Sequence, residues 1–340
     1  MMQDNSMTLI YEQNFFDLRN FWCYNYLGIF MQLKYSNFIF KISFNKPVKF
    51  NTDPVFILRS ILGSQLRKLC CCCEKSLCPG CLFKQSCVYA NLFETILPKD
   101  NDVLINQNRG AHPFLLRAGE ICDLKNRFDS YKFEIQLYGD YISNIKEIYM
   151  AILNGGKEGF GKTRTQYTVS SVTCAGKELL NGENLIPDFC IEEWNEKQFE
   201  NSSMETGDIL VVLKSPLRLK IDGKYLNDFT AVQFMNAIQR RRKTLYGLYG
   251  FLEEQSSVYE KTDFELCEKN FSYKEDVHYS ARQKRSMKMG GIIGNFAMHG
   301  LFSQRDLMLL EFAKTFGLGK NTIFGLGNID YWKRTTKMEK

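Results

Sequence analysis

The 340 residues, 44% hydrophobic and 24% charged, suffice for two globular domains and exclude a disordered or collagen-like chain. The net charge of +6 is mild but bunched, at Gln239-Arg240-Arg241-Arg242-Lys243 and at Arg282-Gln283-Lys284-Arg285-Ser286-Met287-Lys288. Such clusters suit nucleic acid as well as a plain solvated face. No apolar run approaches the length of a membrane-spanning helix, which predicts no membrane partner. The N-terminus lacks the basic stretch of a signal peptide, and twelve cysteines without such a signal predict a reducing, cytoplasmic setting.

In chain order, residues 1–30 are aromatic-rich without a clean period, and the working protein is expected to start near Met31, leaving 1–30 as an N-terminal extension. Residues 31–44 read as a strand, with apolar alternation over their second half. Asp53-Pro54 supplies an N-cap and an N1 proline. The helix that follows carries Val55, Leu58, Leu62, Leu66 and Leu69 on one face, with Arg59, Arg67 and Lys68 off that stripe. A cysteine-rich segment (70–87) and an irregular polar stretch (98–112) come next, then strands at 114–117 and 131–138. A helix at 141–154, a glycine loop and a strand at 166–172 close the first half. Strand, helix, strand, strand, helix, strand is the order of a ferredoxin-like βαββαβ unit. The second half repeats it loosely, with strands at 208–213 and 290–298, helices at 230–246 and 307–316, and a last strand at 329–332. The expected fold is therefore α+β: two tandem ferredoxin-like (RRM-like) domains, at 31–190 and 205–340, with the cysteine-rich insertion in the first. The boundary falls in the polar, acidic stretch 177–207.

Each half places a glycine loop between a helix and a strand. The terminal one, Gly317-Leu318-Gly319-Lys320-Asn321-Thr322-Ile323-Phe324-Gly325-Leu326-Gly327, has four glycines that permit positive φ and close backbone approach, and free N–H groups on such a loop can surround a phosphate. The inner one, Gly156-Lys157-Glu158-Gly159-Phe160-Gly161-Lys162-Thr163, spells a Walker A string. A nucleotide-binding P-loop needs a strand before it and a helix after it, and here the order is inverted. The inner loop is expected to be a helix C-cap and tight turn.

Cys73, Cys78, Cys81 and Cys87 fall within fifteen residues, preceded by Cys70, Cys71 and Cys72. Four thiolates at this spacing suit a structural zinc ion, with an iron–sulfur cluster as the lesser alternative and free or core thiols as the bland one. Of the three histidines, His112 stands in a loop before Pro113 and His299 ends an apolar run. His278 leads into Tyr279-Ser280-Ala281-Arg282-Gln283-Lys284-Arg285. A base beside phosphate-binding cations is what metal-independent RNA cleavage requires, so His278 is the first candidate for general acid or base, with Lys284 stabilising the transition state.

Three stretches together resemble the RAMP superfamily of CRISPR proteins, specifically the precursor-CRISPR-RNA processing endoribonucleases. They are the early helix 56–67 leading into Cys87-Val88-Tyr89-Ala90-Asn91-Leu92-Phe93-Glu94, the run from Tyr279 to Arg285 through Met289-Gly290-Gly291-Ile292-Ile293-Gly294, and the terminal loop Gly317–Gly327. The resemblance implies two ferredoxin-like domains and cleavage of CRISPR repeat RNA to a 2′,3′-cyclic phosphate and a 5′-hydroxyl, with no cofactor for catalysis. Many relatives carry a catalytic histidine near the early helix, and between Met31 and Cys87 this chain has none. On the resemblance, His278, Tyr279 and Lys284 are the catalytic candidates. Arg240, Arg241, Arg242, Arg282, Gln283 and Arg285 are the RNA-binding ones, with Gly317, Gly319, Lys320, Gly325 and Gly327 of the terminal loop. The competing readings are a non-cleaving RNA-binding subunit among the partners of a CRISPR effector complex and, last, a P-loop nucleotidase.

Overall fold

The computed structural model describes residues 32–334 except 51, 74–77, 99–100, 102, 105–106, 120–125, 200–203, 252–257 and 281–284, together with the side chains of 277–280 and 285. The extension 1–30 lies outside the described residues, as do Arg282, Gln283 and Lys284.

The first unit runs β1 (Gln32–Lys49), α1 (Pro54–Cys70), β2 (Phe114–Arg117), β3 (Arg127–Tyr138), α2 (Ile145–Glu158) and β4 (Tyr167–Cys174). Its sheet has the order β2-β3-β1-β4, all antiparallel, which is the ferredoxin-like arrangement. Asp53 caps α1, its carboxylate accepting from the Val55 N–H at 3.0 Å, with Pro54 at the first turn. Val55, Leu58, Leu62 and Leu66 of α1 are buried with Ile148 and Ile152 of α2 against Phe38, Phe40 and Ile42 of β1, while Leu69 ends the stripe in solvent.

The second unit runs β5 (Glu205–Leu217), α3 (Ala231–Tyr249), β6 (Phe264–Lys274), β7 (Val277–Ser280), β8 (Arg285–Lys288), β9 (Gly291–Phe302), α4 (Gln304–Phe316) and β10 (Ile329–Arg334). Its sheet order, β6-β9-β5-β10, repeats that of the first. Both helices open on a capping box, Thr230 with Gln233 and Ser303 with Asp306. The hairpin β7–β8 is inserted between the paired strands β6 and β9.

Several elements differ from the sequence expectation. Strand β6, with charged residues at half of its exposed positions, shows too little apolar alternation to be read from sequence, and strand β8 of the hairpin carries Arg285 and Lys288 of the second basic cluster. Helix α2 does not end at Asn154-Gly155-Gly156 but continues to Glu158, with Gly159 as its C-cap at φ 92°. Gly155 and Gly156 lie inside the helix because a neighbour presses on it there. A Cβ at Gly156 would stand 2.2 Å from the Tyr167 carbonyl oxygen. The polar stretch after β4 is likewise structured: Glu192–Asn195 pairs with the start of β1.

The two units are joined by more than a linker. Along β1 the buried parity switches at Ser36, so that Phe38, Phe40 and Ile42 face their own helices while Leu33 and Tyr35 belong to the second core. Tyr35 meets Phe316 of α4 edge-on at 5.1 Å. Two arginines close the C-terminal end of α4. Arg117 donates to the Thr315 carbonyl and Arg241 to the Phe316 carbonyl at 3.2 Å, cations where the helix dipole is negative. Among the described residues no helix is long and apolar enough to cross a membrane.

Candidate nucleic-acid interface

A cleft of about 1120 Å³ opens between the units, larger than an ordinary small-molecule pocket of roughly 300–1,000 Å³. Elements of both units place cations along it. The off-stripe face of α1 supplies Arg59, Arg67 and Lys68, and the loop before β2 supplies Arg109. Arg218 and Lys220 follow β5, Arg240, Arg241 and Lys243 come from α3, and Lys320 from the terminal glycine loop. No aspartate or glutamate lines it among the described residues. Aromatic rings stand between the cations. Arg59 lies over Phe93 at 4.8 Å and Phe324 at 4.7 Å, and Arg218 over Tyr225 at 4.0 Å. Positive charge interleaved with ring faces is what a single-stranded nucleic acid needs, for its phosphates and its bases respectively.

The consecutive arginines of α3 separate in space. Arg240 is exposed at the cleft, and Arg241 lines it from a buried position at the end of α4. Arg242 turns away. The residue is 5% exposed, and its guanidinium bonds Glu196 through Nε at 2.6 Å and Nη2 at 2.5 Å, which makes it a structural residue.

The terminal loop divides similarly. Gly319 and Lys320 line the cleft. Ile323, Phe324 and Leu326 are buried in the first unit's core, and a Cβ at Gly325 would press on Val55 of α1 at 2.9 Å. Gly317 and Gly327 hold the loop closed, with the Leu318 N–H donating to the Gly327 carbonyl at 2.8 Å and the Gly327 N–H to Pro216 at 3.0 Å. Lys320, Phe324 and Gly325 also donate their N–H groups to the protein's own carbonyls. The loop is thus a clasp between units with one cleft-facing edge, rather than a phosphate cradle.

His278 and Tyr279 lie on β7 of the hairpin, and Arg285 begins β8. Met287 of β8 lines the cleft, and the Lys288 carbonyl accepts from Arg218 Nη1 at 3.0 Å, so the hairpin borders the cleft. His299 pairs with Asp208 at 2.5 Å and does not line it.

His112, set aside in the sequence as a loop residue, does. It is partly buried, with Nδ1 2.9 Å from the Leu92 carbonyl, and burial followed by the fields of Arg59, Arg109 and Arg241 pushes its pKa down to about 4 against that hydrogen bond.

The cysteines are not gathered as one set. Hydrogen bonds with Cys72 and then Cys81 push the Cys73 thiol up to about 11, while the Cys87 thiol points to the Cys70 carbonyl at 3.9 Å. Among the described residues no group of three or more metal-ligating side chains is assembled.

Residues 211–329 match the family model of the CRISPR-associated endoribonuclease Cas6, and residues 33–188 match a model described as an N-terminal domain. Over residues 211–329 the chain is thus similar to the CRISPR-associated endoribonucleases of the Cas6 family. Its fold is that of solved Cas6 structures. The chain is similar to Thermus thermophilus Cas6 (TM-score 0.50, 11% identity, 88% of this chain and 99% of that one) and to a Cas6 product complex (TM-score 0.51, 12% identity, 89% and 99%). It is also similar to part of a Cas6-RT-Cas1–Cas2 complex (TM-score 0.50, 13% identity, 89% of this chain and 47% of that one). No curated protein matches this sequence. The Cas6 match covers the terminal loop, Arg218 and α3, that is, one wall of the cleft.

Proposed function

We propose that this protein is an endoribonuclease of the RAMP superfamily that holds CRISPR repeat RNA in the cleft between its two units and cuts it by attack of a 2′-hydroxyl on the adjacent phosphate, leaving a 2′,3′-cyclic phosphate and a 5′-hydroxyl. The observation that carries the reading is a cleft walled by cations from both units and bordered, over residues 211–329, by an endoribonuclease family match.

The donor set supports internal attack. A hard divalent cation is bound by carboxylate and carbonyl oxygens, and the described lining offers guanidinium and ammonium groups in place of carboxylates. Those groups suit the charge that develops on the phosphoryl oxygens. Near the hairpin, His278 and Tyr279 are candidates for the proton transfers, with Lys284 as a candidate for stabilising charge.

A repeat RNA with a single 2′-deoxynucleotide at the scission site tests the mechanism. The all-ribose RNA should be cut in EDTA and the substituted one should bind and remain whole. Cleavage of the 2′-deoxy RNA at the same bond would refute internal attack. Binding of both RNAs with cleavage of neither would identify a non-catalytic RNA-binding subunit.

A further inference from the structure

We propose that His112 is the general base of this reaction, its Nε2 taking the proton from the 2′-hydroxyl beside the scissile phosphate. The proposal rests on the endoribonuclease reading above and names its catalytic residue at a position no sequence motif marks.

The geometry defines which nitrogen acts. A carbonyl oxygen only accepts, so the 2.9 Å contact with Leu92 requires the ring proton on Nδ1, and the neutral ring keeps its lone pair on Nε2. Leu92 itself is held in a π-helical turn, Ala90–Glu94, that ends on Thr95 in the left-handed region at φ 43°. The segment carrying His112 is clamped on both sides. Gly110 exchanges hydrogen bonds with Thr95, the Tyr249 hydroxyl donates to the Ala111 carbonyl, and the Pro113 carbonyl accepts from the Tyr138 N–H at 3.0 Å. An imidazole fixed in tautomer and orientation at the wall of a cationic cleft is a preorganised base.

The charges facing it come from three elements: Arg59 of α1, Arg109 of its own loop and Arg241 of α3. The neighbouring carboxylate, Glu94, is buried and bound to Arg109 at 2.9 Å. Burial, with these cations adding to it, holds the ring unprotonated near neutral pH, which a base must be. A bound phosphodiester offsets part of their field and so raises the basicity of Nε2 in the complex. In the step itself the O2′–H bond breaks with its proton going to Nε2, the O2′–P bond forms, the P–O5′ bond breaks in line, and the departing O5′ takes a proton from solvent water.

The test is single-turnover cleavage of an all-ribose repeat RNA by the full chain and by His112→Asn and His278→Ala. Asparagine keeps an N–H donor for the Leu92 carbonyl and removes the base. His112→Asn is expected to cut at least about 100-fold more slowly, the scale of a lost general base, while binding the non-cleavable 2′-deoxy RNA within about threefold. The wild-type rate should stay flat as pH falls through 6.5 and drop only below that, where the imidazole, held at about 4 in the free protein and raised by the bound phosphodiester, takes its proton, and the residual rate of His112→Asn should lack that drop. A His112→Asn rate within about threefold of wild type overturns the proposal. So does an acid limb near 6.5 that survives in His112→Asn and vanishes in His278→Ala, and so does loss of RNA binding along with cleavage, which makes His112 a structural residue. Failure of the wild-type chain to cut any repeat RNA is a separate result, which removes the endoribonuclease reading and the proposal with it.

Discussion

Arg240, Arg241 and Arg242 are adjacent in sequence, but about 100° of helix rotation separates each from the next, and their surroundings decide their work. Arg240 faces the cleft, Arg241 binds the end of α4 and Arg242 is sealed against Glu196. Arg242→Ala leaves the Glu196 carboxylate buried without its cation, a change that costs about 3–5 kcal/mol, and denaturant unfolding should show it. Arg240→Ala should leave unfolding within about 0.5 kcal/mol of wild type and instead weaken RNA binding, reducing the salt dependence by about one phosphate's share. The reverse pattern would mean that the two residues have been assigned the wrong way round. Sequence showed the cluster and the ligand class it suits, but not this division, because the partners come from residue 196 and from the end of another helix. His112 was illegible for the same reason. Its neighbours Arg59, Arg109 and Arg241 come from three separate stretches of chain, and no local pattern marks their convergence.

At the scale of elements, the caps and apolar stripes were readable because they are local: Asp53-Pro54 and the α1 face stand where spacing put them. Glycines were ambiguous, since the residue signals either a turn or a close approach. Gly156 proves to be the second kind. Helix propensity alone makes Gly156→Ala stabilising by about 0.5–1 kcal/mol. The Tyr167 carbonyl 2.2 Å from the added Cβ makes it destabilising, by about 1–3 kcal/mol on the scale of overpacking. Thermal unfolding of the variant reads the sign directly, and a raised midpoint would contradict the packing of α2 on β4. The terminal loop shows the same limit on a larger scale. Its glycines were visible in the sequence, but its docking on α1 through Ile323, Phe324 and Gly325 depends on a surface some 270 residues earlier in the chain, a separation of roughly the kind that local propensity does not encode.

At the scale of the whole molecule, duplication supplies two ferredoxin-like units and the clasped interface converts them into one site. The apolar faces of both sheets are used up in two cores, and β1 takes part in each. What remains between the units is polar, aromatic and cationic, with its charge drawn from helices and loops of both. The repeat of βαββαβ order was legible in the sequence, whereas the cleft was not, because it exists only in the docking of one unit on the other. The central claim is that RNA lies in this cleft, and photo-crosslinking tests it most directly. A 2′-deoxy-blocked repeat RNA carrying photoreactive bases, crosslinked to the wild-type chain and mapped by mass spectrometry, should mark peptides from both walls: α1 around Arg59 to Lys68, the segment from Arg218 to Tyr225, and α3 around Arg240 to Thr244. Crosslinks confined to the outer faces of the two sheets, with these peptides unmarked, would contradict the account.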